Sequence, residues 1–220
     1  MVKARIPETD HGIQGEFTVA AYDEMQRHLR DRGWIETQAL IQSGIAHGCA
    51  LEIGPGPGYL GLEWLKRTQG TTLVGLDISP DMRALAEKNA RAYGLQGRAA
   101  YHLGNGSRLP FDDQSFDAVF TNGSLHEWAD PGATFDEIAR VLRPGGRYWI
   151  SDLRRDMPAL LHWFLRASTR PRSIRPGLDT SIQAAYIPAE LGEMMAGSGL
   201  AAGRVGSTPL GISLSGARAA

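Results

Sequence analysis

Short apolar runs alternate with longer amphipathic stretches through the middle of the chain. The runs Ala50–Ile53 and Thr72–Leu76 each stop at a glycine or an aspartate, and each is followed by a stretch in which apolar residues recur at helical spacing. Three further short runs lie at residues 99–103, 117–121 and 148–151. Alternation of this kind is typical of a parallel sheet with crossover helices. The pattern therefore predicts a doubly wound α/β fold.

Helical patterns also flank this central region. From Phe17 to Gln42 apolar residues follow helical spacing, with a break at Arg32-Gly33. Ser79-Pro80 is predicted to begin a helix, as its N-cap and first-turn proline. Further along the chain we predict a turn at Arg143–Gly146, a helix at Pro158–Leu165 and an irregular segment at Ser168–Tyr186. A helix is predicted at Pro188–Met195, and two weak strands at Ala202–Val205 and Leu210–Ser213.

Composition and charge narrow the classes of protein. With 42% hydrophobic and 21% charged residues in a chain of 220, there is enough apolar material for one full core. A net charge of −1 gives no overall basic surface of the kind that binds nucleic acid or an acidic membrane, so neither partner is expected. We interpret the arginines of the irregular segment as a solvated basic loop, with an anionic substrate or RNA as the alternative; they are Arg166, Arg170, Arg172 and Arg175.

The cysteine content and the first residues bear on the compartment. Cys49 is the only cysteine, which excludes an internal disulfide. Residues 1–8 lack the apolar core of a signal peptide, and no run approaches membrane-spanning length. We therefore expect a cytoplasmic protein. The six histidines are dispersed along the sequence, so no metal site is predicted.

A glycine-rich turn follows the first predicted strand. Gly54, Gly56 and Gly58 lie between that strand and a predicted helix, where unpaired backbone N–H groups converge on a ligand. Glycine suits the position because a Cβ would obstruct both the ligand and a turn with positive φ. A tight turn without a ligand is the alternative.

The identity of that ligand depends on more than the glycines. The segment Gly56–Gly61 also satisfies the dinucleotide fingerprint, which leaves NAD or FAD open. Asp77 lies at the end of the second predicted strand, where a carboxylate can accept both hydroxyls of a ribose. This aspartate favours an adenosine-containing ligand of either kind, and a capping role in the next helix is the alternative.

Four blocks between about residues 48 and 153 resemble those of the class I S-adenosylmethionine-dependent methyltransferases, particularly the small-molecule branch. The blocks are Leu51–Gly58, Val74–Met82, Gly104–Phe111 followed by Phe116-Asp117, and Val141–Gly146. One block alone is ambiguous, whereas four blocks in this order argue against the interpretation as an NAD-dependent oxidoreductase. The resemblance implies S-adenosylmethionine as the cofactor and methyl transfer to a small organic acceptor as the activity.

The resemblance also implies roles for individual residues. Glu52 would face the methionine amine, Asp77 the ribose diol, and Ile78 and Met82 the two sides of the adenine. The loop expected at the exocyclic amine of the adenine consists of Asn105, Gly106 and Ser107. The family usually has an acidic residue where Asn105 lies. An amide oxygen can accept the same hydrogen bond, but without the strengthening effect of a negative charge.

The segment Thr121–Trp128 should leave the sheet beside the methyl donor. Asn122 and Leu125 are therefore expected at the cofactor, and Glu127 at the substrate. His126 titrates near neutral pH and is the candidate general base, with a role in lining the pocket as the alternative. Because a sulfonium methyl is already activated, a dedicated base is optional.

Acceptor specificity in the resembling family usually comes from N-terminal helices and from insertions after the fifth strand. By that resemblance Tyr22 would cover the cofactor. The residues expected to face the acceptor are Phe17, Arg154 and Trp163, with surface or packing roles as the alternative.

We predict a single methyltransferase domain built on a seven-stranded, mostly parallel sheet. Its parts would be an N-terminal helical cap at 1–47, a cofactor-binding core at 48–153, acceptor-side helices and a lid at 154–200, and closing strands at 201–220. A catalytically inactive S-adenosylmethionine-binding subunit or scaffold of the same fold is the alternative. The oligomeric state and the nucleophilic atom of the acceptor stay open.

Overall fold

The structure, a computed structural model, describes residues 4–8 and 12–219. One seven-stranded sheet organises these residues in the order β3-β2-β1-β4-β5-β7-β6. The strands are β1 (Cys49–Ile53), β2 (Thr72–Asp77), β3 (Ala99–Leu103), β4 (Phe116–Asn122), β5 (Leu142–Leu153), β6 (Arg204–Ser207) and β7 (Gly211–Ala217). The first five pair in parallel, whereas β7 runs antiparallel to both β5 and β6. The predicted fold class is confirmed.

Eight α-helices cover the sheet within the described part of the chain. They are α1 (Glu16–Asp31), α2 (Thr37–Gln42), α3 (Tyr59–Arg67), α4 (Pro80–Ala92), α5 (Pro131–Val141), α6 (Ala159–Ser168), α7 (Arg175–Ala184) and α8 (Pro188–Ala196). The predicted break at Arg32-Gly33 separates α1 from α2. Ser79 caps α4 as predicted, because its hydroxyl accepts a hydrogen bond from the amide of Met82 at 3.2 Å and Pro80 occupies the first turn.

Alternate residues of the central strands are buried on opposite faces of the sheet. Leu51 and Val119 pack in a cluster that includes Phe135 of α5, while their neighbours Ala50 and Phe120 pack in a second cluster around helices α2 and α3. Both faces of the sheet are therefore covered, which explains why its strands are continuous apolar runs. Strand order reverses between β1 and β4, and the carboxyl ends of these two strands form the crevice in which such sheets bind ligands.

Two local predictions were wrong. The segment Ser168–Tyr186 is not irregular, since it contains a 3₁₀ turn at Arg172–Ile174 and the helix α7. Its Pro and Gly residues suggested a loop, but Pro is tolerated in a first helical turn. Arg143–Gly146 is likewise part of β5 and not a separate turn: these residues bulge out between Leu142 and Arg147, which both pair with β4, and Gly145 takes up the bend with φ 76°.

The closing hairpin is present with shifted bounds. Its strands β6 and β7 begin at Arg204 and Gly211, later than the predicted Ala202 and Leu210. Within the described residues, no helix combines the length and the apolar character needed to cross a bilayer.

Candidate functional site

The glycine loop after β1 depends on backbone that only glycine adopts easily. Gly54, Gly56 and Gly58 all have positive φ, at 64°, 53° and 83°. A Cβ at Gly54 would lie 2.7 Å from the Cβ of Ser124, and one at Gly58 would lie 2.8 Å from the hydroxyl of Tyr101. Gly54 and Gly56 line a cavity at the carboxyl edge of the sheet, which we call the donor cavity, whereas Gly58 shapes the loop from outside it.

Asp77 ends β2 on the opposite wall of the donor cavity. Its Oδ2 accepts a hydrogen bond from the amide of Gly56 at 3.0 Å, and its Oδ1 accepts one from the amide of Ser79 at 2.9 Å. Burial raises the pKa of Asp77, although these backbone donors oppose the shift. Each carboxylate oxygen keeps a lone pair for a further donor, so the side chain can bind a pair of hydroxyls while it holds the glycine loop in place.

The remaining wall of the donor cavity is formed by the expected adenine-site residues. Ile78, Met82, Asn105 and Gly106 all line it. The Oδ1 atom of Asn105 accepts hydrogen bonds from the amide and the hydroxyl of Ser107, at 2.9 and 3.0 Å. Ser107 therefore orients Asn105 and does not itself line the donor cavity.

Glu52 is a buried carboxyl beneath the glycine loop. The pKa of Glu52 is raised to about 8, mainly by burial and to a lesser extent by the charge of Asp77, while a hydrogen bond from the Gly61 backbone opposes the shift. Its Oε2 has no hydrogen-bond partner among the described residues. Glu52 lines a small cavity between α1 and the glycine loop, together with Tyr22 and Asn122. An orphaned carboxyl in this place suits a cationic amine.

A second and larger cavity opens beside the donor cavity, between α1, the end of α6, α7 and the turn Leu125–Glu127. We call it the acceptor cavity; it encloses about 1230 Å³ including its mouth. Its wall is mainly apolar and includes Met25, Leu29, Leu165 and Leu178. The residues that line both cavities are Ile13, Tyr22, Gly123 and Glu127. Two ligands bound side by side would therefore meet at these four residues.

His126 faces the acceptor cavity and is held by Asp152, which follows the end of the expected fifth strand. Its Nδ1 lies 2.9 Å from Oδ2 of Asp152, and its backbone amide donates to the same oxygen at 2.8 Å. Burial alone would lower the pKa of His126, but the charge and hydrogen bond of Asp152, with help from Glu8 and Glu127, raise it to about 10. These carboxylates therefore favour the protonated imidazole.

The other ring nitrogen of His126 points at two carboxylates without a well-formed hydrogen bond. Its Nε2 lies 3.4 Å from Oε2 of Glu8 and 3.9 Å from Oε1 of Glu127. Arg5 fixes the segment that carries Glu8, since it donates to the carbonyl of His126 at 2.9 Å and stacks on Tyr186. Glu8, His126 and Glu127 place one possible metal-ligand atom each within 4.8 Å of one another. A ligating imidazole must be neutral, however, so these surroundings favour a bound proton at Nε2.

Glu127 lies at the junction of the two cavities. The pKa of Glu127 is raised to about 7, mainly by burial and further by the charges of Glu8 and Asp152, while the charge of His126 opposes the shift. A carboxyl that titrates near neutral pH can accept a proton from a bound acceptor.

Several residues expected at the site lie elsewhere. Leu125 is fully buried in the core, and Phe17 and Trp163 are exposed on α1 and α6. Arg154 pairs with Asp156 at 2.7 Å and donates to the carbonyl of Thr208. None of these four lines the donor or the acceptor cavity.

Sequence reasoning also missed two residues beside His126. Asp152 carried a usable signal, because it lies near the end of a predicted parallel strand, where functional side chains collect. Glu8 carried none, since it lies in a polar lead far from the sheet in sequence.

The fold and these cavities define a doubly wound α/β domain with a cavity that suits an adenosine-containing ligand, beside a second, mainly apolar cavity. A family model described as a methyltransferase domain matches residues 51–150. A chain of the solved complex between the Haloferax volcanii Trm112 methyltransferase activator and a putative methyltransferase is 30% identical, with a TM-score of 0.64 over 89% of this chain and 80% of that one. The chain belongs to the class I S-adenosylmethionine-dependent methyltransferases, and the predicted family and cofactor are confirmed.

Other relatives extend the comparison. The demethylmenaquinone methyltransferase of Roseiflexus castenholzii is 36% identical over 151 residues, which are 66% of this chain and 61% of the relative. A putative S-adenosyl-L-methionine-dependent methyltransferase of Methanococcus maripaludis shares the fold with a TM-score of 0.68, at 20% identity over 94% of this chain and 96% of that one. The chain spans only 37% of the length of another relative, the methyltransferase GfsG of Streptomyces halstedii, which is 36% identical over 103 residues, or 47% of this chain.

Proposed function

We propose that this protein transfers a methyl group from S-adenosylmethionine to a small apolar acceptor and releases S-adenosylhomocysteine. The observation that carries the proposal is the junction of the two cavities at Tyr22, Gly123 and Glu127. A donor and an acceptor bound there are neighbours shielded from water, which is the main requirement for methyl transfer from an activated sulfonium. The single cysteine favours a cytoplasmic location.

The residues of the donor cavity, and of the small cavity that shares Tyr22 and Gly54 with it, fit the cofactor. Asp77 has free lone pairs for the ribose diol, and Glu52 has an orphaned oxygen for the methionine amine. Gly54 gives the loop a close approach to Ser124 that a Cβ would prevent. S-adenosylmethionine supplies an electrophilic methyl carbon on a positively charged sulfur.

The acceptor that this cavity suits best is a ring compound with an ionisable hydroxyl, such as a phenol or a hydroquinone. Apolar residues such as Met25, Leu29 and Leu165 would pack on the ring, and its hydroxyl would lie beside Glu127 and His126. The names of several relatives, which are demethylmenaquinone methyltransferases, support an acceptor of this class.

Proton handling would fall to Glu127 rather than to His126. The sequence favours His126 as the proton acceptor; because the carboxylates around it raise its pKa, we assign that role to Glu127 instead. In the proposed step the acceptor loses a proton to the Glu127 carboxylate, and its electron pair forms the bond to the methyl carbon. The carbon–sulfur bond breaks with its electrons remaining on sulfur.

The direct test is turnover with a panel of phenols and hydroquinones, followed by mass spectrometry of S-adenosylhomocysteine and of the methylated product. The variant Leu165→Trp, which fills the acceptor cavity, should bind S-adenosylmethionine normally by calorimetry but lose at least about tenfold in kcat/KM for the acceptor. Cofactor binding without product from the panel or from cell extract would contradict the proposal. It would favour the inactive-subunit alternative.

A further inference from the structure

Helix α6 presents its apolar face to solvent. Leu160, Trp163 and Phe164 are 73%, 66% and 55% exposed, and their spacing of three and four residues places them on one side of the helix. None of the ten residues of α6 is fully buried. Isolated exposed apolar residues are ordinary in proteins, whereas a contiguous group with two large aromatic rings marks an interaction surface.

The chain around this face carries only positive charge. Between Asp156 and Asp179 there is no acidic residue, while the same stretch contains Arg166, Arg170, Arg172 and Arg175. Arg166 pairs with Asp179 at 2.8 Å. Among the described residues the other three form no ion pair with a carboxylate. Arg170 and Arg175 instead donate to backbone carbonyls of the segment itself. An exposed apolar ridge therefore adjoins an uncompensated basic cluster in a protein whose net charge is −1.

We propose that the α6 face, defined as Leu160, Trp163 and Phe164, docks together with these arginines on the surface of an anionic lipid bilayer. Aromatic and leucine side chains partition to the boundary between headgroups and acyl chains, and neighbouring arginines contact anionic headgroups. Charge complementarity is the reason for choosing a bilayer, because the carboxylate of Asp179 is already paired with His162 and Arg166 and the remaining arginines give this surface a positive charge. A protein partner or a second copy would be expected to match polar groups of both signs.

The position of the acceptor cavity is consistent with this docking. Leu165, Thr169 and Ile174 line the cavity and belong to the same segment as the exposed face. The inner side of the segment thus forms a wall of the cavity and its outer side meets the membrane. A bilayer-dissolved compound could pass between them. Docking itself does not depend on the proposed chemistry, because it is a property of the outer surface.

The test is co-sedimentation of the full chain with vesicles of phosphatidylcholine alone or with 30% phosphatidylglycerol added, with Trp163 fluorescence as a second signal. We expect binding to the anionic vesicles that weakens as salt is raised, together with a blue shift of the emission. The variant L160Q/W163Q/F164Q should lose at least about tenfold in partition coefficient, since glutamine keeps helix propensity but removes the apolar surface. The variant R166Q/R172Q should lose about fivefold per arginine.

Matched controls distinguish this surface from the rest of the molecule. L103Q removes an exposed apolar side chain on β3, and R67Q/R91Q removes two exposed arginines on α3 and α4; both should bind vesicles like the parent chain. Equal binding of the parent and the α6 triple variant would overturn the proposal. So would the absence of vesicle binding together with a parent dimer that the triple variant converts to a monomer, which would make the face a self-association surface.

Discussion

The donor cavity and the acceptor cavity are neighbours built in different ways. The donor cavity is framed by backbone: the positive φ angles of the glycine loop and the amides that Asp77 binds set its shape at the ends of β1 and β2. The acceptor cavity is framed by side chains from α1 and, far from it in sequence, from α6 and α7. Among the described residues, Glu127 is the only one with a carboxyl group that lines both cavities.

This difference has a physical consequence for specificity. A shape set by backbone turns tolerates few substitutions, so it suits a ligand that stays the same throughout a family. A shape set by side chains changes with one or two substitutions, so it suits a ligand that differs between relatives. Variants at the junction test whether the two cavities are linked chemically, and variants on the donor side test how far the backbone sets the shape of the donor cavity.

The largest effect is expected for Glu127→Gln. Because this carboxylate would accept the proton of the acceptor, kcat should fall by about a hundredfold or more, while the Kd for S-adenosylmethionine changes less than about threefold. The pH profile gives a second signal. Burial raises the pKa of Glu127 to about 7, so the basic form accumulates as the pH rises. The parent kcat should rise through pH 7 and level off above it, and the variant should lack that limb.

A surface glutamate provides the control for this experiment. Glu193→Gln on α8 removes an exposed carboxyl and should leave both kcat and its pH profile unchanged. If Glu127→Gln kept the rise through pH 7, another group would accept the proton. The two cavities would then not be linked chemically through Glu127.

Sequence patterns predicted the two cavities unequally well. The donor side was accessible because Gly54, Gly56 and Asp77 are tied to strand ends, and strand ends are visible as the limits of apolar runs. The acceptor side was only partly accessible: His126 and Asp152 follow neighbouring strands, but Glu8 reaches them only because its segment packs on α7, and no local pattern encodes that packing. The α7 error has the same origin, since Pro176 and Gly177 suggest a loop when read locally.

A smaller effect, in the donor cavity, is expected for Asp77→Ala. The change removes the acceptor of the Gly56 and Ser79 amides and two contacts to the ribose, so S-adenosylmethionine should bind about a hundredfold more weakly, close to 2.7 kcal/mol. Calorimetry measures the loss, with Glu87→Gln on α4 as the control. Unchanged affinity would show that binding of the ligand does not depend on the end of β2. It would contradict the view that the backbone there organises the donor cavity.

The smallest effect is expected for Asn105→Asp, and it tests how completely the backbone dominates the donor cavity. An aspartate keeps the oxygen that accepts hydrogen bonds from Ser107 and adds a charge toward the adenine amine, so S-adenosylmethionine should bind about fivefold more tightly. The double variant Asn105→Asp/Ser107→Ala separates the two roles of that oxygen. If Asn105→Asp leaves the Kd unchanged while the double variant loses affinity, the side chain serves only to order its own loop. The adenine would then be held by backbone and apolar contacts, as the rest of the donor cavity suggests.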